Sequence, residues 1–78
     1  MTLGKYISIL RAQKDISQVE LANMCDMGVS TISRIELDKA LPRMNTLLKM
    51  ENALGLKAGT LCNFDGRETL IESAEQID

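Results

Sequence analysis

Seventy-eight residues, 45% hydrophobic and 26% charged with a net charge of −2, describe one globular domain and exclude a disordered chain. No apolar run approaches the ~18 residues of a membrane helix, and residues 1–10 lack the basic flank and long apolar core of a signal peptide, so a cytoplasmic protein is expected. Histidine is absent and the two cysteines, Cys25 and Cys62, lack C-x-x-C spacing, which removes zinc-site and Ser-His or Cys-His arrangements; no enzyme, metal or cofactor is expected, and both thiols read as small buried hydrophobes.

Residues 3–14 carry Leu3, Ile7 and Leu10 at i, i+4 and i+7, the stripe of a first helix with Tyr6 beside it. Asp15 comes next, where the chain must turn, and Asp tolerates the left-handed conformation that such a turn needs. Ser17-Gln18-Val19-Glu20 fits the S-x-x-E capping box, so a second helix starts at Ser17 and turns Leu21, Ala22 and Cys25 inward. Asp26 falls at the next sharp turn, Met27 is expected to plug it from the inside, and Gly28 is an acceptable N-cap for a third helix.

That third helix is expected over residues 29–37. At roughly 100° per residue, Ile32 and Ile35 share one side, while Ser30, Ser33, Arg34 and Leu37 fall on the other. This modest outer face suits a major groove, which admits a helix and offers acceptors to Arg, either role to Ser, and a thymine methyl to apolar groups.

Residues 37–44 hold the only proline, two cations and no helical period, and read as a loop in which Pro42 pushes Leu41 out of the helical region. A fourth helix is expected over 45–54, with Asn45 as N-cap, Leu47, Leu48, Met50 and Leu54 as its apolar face, and Gly55 as the left-handed residue that ends it. Residues 58–62 read as a short fifth helix that returns Leu61 to the core. Beyond the turn signal Phe64-Asp65-Gly66, the tail places Leu70, Ala74 and Ile77 on one stripe among acids, and three readings stay open: a solvated end, a dimer-forming helix, or a segment that binds another protein. The organisation expected is a helical domain over 1–64 and an acidic tail over 65–78. Residues 1–60 hold eight basic against six acidic side chains, a balance of +2, whereas 61–78 hold Arg67 against five acids, a balance of −4.

Leu10-Arg11, Ile16-Ser17-Gln18-x-Glu20-Leu21-Ala22, Ile32-Ser33-x-Ile35-Glu36, Pro42, Leu47 and Ala53-Leu54-Gly55-Leu56 together resemble the phage-repressor and Cro-like (XRE) helix-turn-helix family, over roughly residues 3–61. The resemblance implies an all-α, five-helix, repressor-like domain with the helix-turn-helix as helices 2 and 3. It also implies that Arg11 pairs with Glu36, and that Lys39 and Arg43 match loop positions that reach phosphates or the minor groove, against the plainer reading of a solvated loop. Asp15 departs from the family's Gly, and Glu51 from its small apolar residue, so that either the fourth helix is rotated or Glu51 finds a buried partner.

The function expected is sequence-dependent binding of double-stranded DNA by a transcriptional regulator acting as a homodimer. Val29, Ser30, Ser33 and Arg34 would read base edges, and Gln18, at the start of the second helix, would bind a phosphate. The acidic balance motivates a rival: a protein-interaction module, such as an antitoxin-like subunit whose tail binds a partner protein.

Overall fold

Four short helices make up the regular structure of residues 1–64, the part of the chain that the computed structural model describes: α1 (Leu3–Gln13), α2 (Gln18–Met24), α3 (Val29–Glu36) and α4 (Met44–Ala53). Even α1, at 11 residues, is below the length at which an isolated helix holds in water, so caps and packing must hold all four. The acidic tail expected over 65–78 lies outside the described residues.

Each helix stops in the same way. Asp15, Asp26, Asp38 and Gly55 take φ of 57°, 56°, 61° and 66° just past the four C-caps. The residue after each returns its N–H to a carbonyl five residues back: Ile16 to Arg11 at 3.1 Å, and Met27 to Ala22, Lys39 to Arg34 and Leu56 to Glu51 at 2.8 Å each. These are four Schellman closures, three of them built on Asp rather than Gly. The starts differ more. Thr2 Oγ1 accepts from the Lys5 amide, and Ser17 with Glu20 forms the reciprocal capping box, whereas Gly28 and Arg43 cap with no side-chain hydrogen bond.

The core is Ile7, Leu21, Ala22, Cys25, Ile32, Ile35, Leu47, Met50, Leu54 and Leu61, with Leu3, Tyr6, Leu10, Ile16 and Met27 packed half-buried around it. Helix α3 packs on both α1 and α2, and α2 also meets α4. The N-terminus of α1 is pressed against the C-terminus of α3. A Cβ on Gly4 would lie 2.6 Å from the Glu36 carbonyl oxygen and closer still to that of Ile35, so only glycine permits this approach. Asp38 locks the junction: its carboxylate accepts from the Gly4 amide at 3.0 Å and from the Thr2 hydroxyl. At the last of the described residues, Phe64 stacks on Tyr6 of α1 with ring centroids 4.8 Å apart.

The structure corrects five expectations. The fifth helix is not formed: residues 58–63 run as consecutive turns, interrupted by Gly59 at φ 92°. Helix α4 begins at Met44 with Arg43 as N-cap, so Asn45 lies inside it. Leu48 is 50% exposed, because the buried face of α4 is centred on Leu47, Met50, Glu51 and Leu54 and Glu51 takes the inward edge. Cys62 and Met27 are half-buried rather than buried, while Cys25 is buried, and both cysteines are free thiols.

Glu51 explains both the absent helix and its own burial. At 3% exposure it is the one buried charged residue among those described, and Oε1 accepts from the Gly59 amide at 3.1 Å while Oε2 accepts from Leu61 at 2.7 Å and Cys62 at 3.0 Å. Three amides of the 58–63 turns are therefore satisfied by one carboxylate, while those of Thr60 and Asn63 donate to the Lys57 and Gly59 carbonyls, and Leu61 is delivered to the core without a helix. Hydrogen bonds from the Cys62 and Gly59 amides hold the Glu51 carboxyl below the ordinary glutamate range, against the opposing effect of burial. Burial pushes the Cys62 thiol up, with the Glu51 charge adding to it.

Candidate nucleic-acid interface

The inward side of α3 is set by Ile32 at 0% and Ile35 at 3% exposure, whose burial contributes about 1.5–3 kcal/mol each. That fixes the helix's rotation. Val29, Ser30 and Arg34 stand in solvent, Ser33 is half-buried, and Leu37 at the C-cap is exposed. Thr31, which helical spacing did not single out, is also exposed. It lies at the border of the apolar side at 100° per residue, so the signal for it in the sequence is positional and weak.

The loop after α3 shows a strict alternation. Lys39, Leu41 and Arg43 are exposed, while Ala40 and Pro42 between them are half-buried, Ala40 against the core. Two cations and one large apolar side chain of this loop thus stand in solvent. Arg43 also sits at the N-terminus of α4, where no side chain takes up the first free amides.

Gln18, Arg11 and Glu36 come together behind this surface. Arg11 Nε donates to Glu36 Oε2 at 2.8 Å and Nη2 to Oε1 at 3.2 Å, a bidentate ion pair in which both side chains are largely buried. Arg11 Nη1 donates to the Ile16 carbonyl at 2.8 Å, and Gln18 Nε2 donates to Glu36 Oε1 at 2.9 Å. One network therefore joins the end of α1, the α1–α2 linker, the start of α2 and the last residue of α3. The Glu36 hydrogen bond holds the Arg11 guanidinium above its ordinary pKa, against burial. Gln18 keeps one amide hydrogen beyond the one that Glu36 takes, and is half-buried.

The structure thus places Val29, Ser30, Arg34, Lys39 and Arg43 in solvent and ties Gln18 to the Arg11–Glu36 pair. No cluster of His, Cys, Asp and Glu suited to a metal occurs among the described residues, and no helix there is long and apolar enough to cross a membrane.

The helix-turn-helix family model matches residues 7–61. The chain is 32% identical over 75 residues to the immunity repressor protein of Bacillus phage phi105, covering 96% of this chain and 50% of that protein. It is 38% identical over 55 residues to multiprotein-bridging factor 1 of Candida glabrata, covering 70% of this chain and 36% of that protein. The chain therefore spans half or less of the length of these relatives. No solved structure matches it. Four helices in the order that puts α2 and α3 against one another, with the family model covering most of the chain and a phage repressor aligned nearly end to end with it, identify this chain as a member of the phage-repressor and Cro-like (XRE) helix-turn-helix family.

Proposed function

We propose that this chain binds double-stranded DNA in a sequence-dependent way and regulates transcription as a symmetric homodimer in the cytoplasm. The observation that carries the reading is the rotation of α3: Ile32 and Ile35 are hidden while Ser30 and Arg34 stand out from a helix narrow enough for a major groove. Val29, Ser30, Ser33 and Arg34 read base edges, with Arg34 the bidentate partner of a guanine. Gln18 gives its second amide hydrogen to a phosphate, which sets register. Lys39 and Arg43 hold phosphates from the loop, Arg43 with the free amides of α4 beside it. Residues 1–64 are the DNA-binding unit, and 65–78 form an acidic segment available to a dimer or partner contact. The phage relative's name, an immunity repressor, supports a repressing role.

The net charge of −2 favours one other reading, a protein-interaction module of the antitoxin-like kind. A salt titration of duplex binding separates the two. Contact with several phosphates gives a steep fall of affinity with salt, with a slope of about −0.9 for each phosphate held. No measurable duplex binding at low salt, or binding with a flat slope, leaves the protein-interaction reading in its place.

A further inference from the structure

Three large apolar side chains in eight residues, Leu37, Leu41 and Met44, are left in solvent on the same stretch that carries Lys39 and Arg43. Leu41 is the extreme case. It is 89% exposed, the highest value among the exposed large hydrophobics, and it takes no place in the core or among the side chains packed on it. Isolated exposed leucines are ordinary, but this one is not placed at random. Exposure alternates over 39–43, which leaves Leu41 in solvent midway along the chain between two exposed cations, with Ala40 and Pro42 half-buried. Pro42 also restricts the backbone at Leu41 to extended conformations, so little order remains to be gained when the side chain is buried against a partner.

We infer that Leu41 is a DNA-contacting residue: it enters the minor groove beside the site read by α3, as an apolar wedge between two phosphate clamps supplied by Lys39 and Arg43. The inference rests on the DNA-binding function proposed for α3. Lys39 and Arg43 are four residues apart, at most roughly 13 Å along an extended chain, and their long side chains reach further. That span bridges a minor groove of about 6 Å and the phosphates on both its walls. A central leucine then meets sugar faces and base edges. Apolar wedges at this depth partly unstack a base step, so the residue favours flexible, A·T-containing steps at a position that no recognition-helix side chain touches. A protein partner with an acidic, apolar surface would also match this loop; the position of the loop directly after α3 favours DNA, because a helix lying in the major groove carries its own C-terminal loop to the flanking backbone.

The test is Leu41→Ala in the full chain, on two probes: a duplex selected from a random pool by the wild-type protein, and a random-sequence duplex. Since Leu41 is outside the core, Tm is expected to stay as it was. Affinity for the selected duplex is expected to fall by roughly tenfold at an unchanged salt slope, because apolar area and no phosphate contact is lost. Repeating the selection with the variant should weaken the flanking A·T preference. For comparison, Arg43→Ala should reduce the slope by about 1. Unchanged affinity and unchanged flanking preference for Leu41→Ala, with the Arg43→Ala loss intact, overturns the wedge and leaves the DNA reading standing. A variant that falls apart from dimer to monomer in sedimentation, with its DNA loss explained by that, overturns the wedge in favour of a contact between copies. Absence of duplex binding by the wild-type chain fails both readings.

Discussion

Asp15, Asp26 and Asp38 share one backbone conformation, but not one role. Asp15 and Asp26 supply only the left-handed turn after a helix, where Gly is the less strained choice; Asp26→Gly is expected to raise stability by about 0.5–1 kcal/mol in denaturant unfolding. Asp38 has the same φ, yet its carboxylate also caps the start of α1 through Gly4 and Thr2. Asp38→Gly is therefore expected to lower stability, by about 1 kcal/mol, in the same measurement. The tolerance of Asp for a left-handed turn was legible in the sequence at Asp15 and Asp26. The second duty of Asp38 was not, because its partners lie 34 and 36 residues away and leave no local spacing. Glu51 is a similar case: its departure from the family pattern was visible, while the three amides it serves sit in a stretch whose own letters read as a helix.

At the level of elements, the spacing rules located α1 to α4 to within a residue or two because each has an apolar stripe and a stop signal. They failed at 58–63, where a single carboxylate satisfies amides that a helix would otherwise have to pair, and at the start of α4, where Asn45 is the better capper and Arg43 holds the position. An arginine at an N-cap is a local loss that DNA contact would explain. Arg43→Ser is accordingly expected to stabilise the fold by about 1 kcal/mol in thermal or denaturant unfolding and to weaken binding to all duplexes alike. Glu51 gives the α4-to-turn junction a pH dependence. Its pKa is depressed in the fold, so its contribution is present above the unfolded glutamate value of about 4.3 and is lost as pH falls through the lower folded value. Tm measured from pH 7 down to pH 2 should show this acid-side loss, and Glu51→Gln should lower Tm at neutral pH and flatten that limb.

Across the whole molecule, the Arg11–Glu36–Gln18 network fixes α1, α2 and α3 relative to one another, and Ile32 with Ile35 sets which side of α3 the solvent sees. A symmetric dimer would repeat that surface about 34 Å away along the duplex, one helical turn on. The acidic charge of 61–78 does not oppose this provided it lies off the duplex, since phosphate affinity depends on local geometry rather than the total. The most direct test of the account is the affinity of Arg34→Ala, against wild type, for the selected duplex and for random DNA at one salt concentration. The account predicts a loss of roughly 1–3 kcal/mol on the selected duplex, confined to one base-pair position, and little on random DNA. Equal losses on both would show that Arg34 meets only phosphate and would contradict base reading by the exposed side of α3.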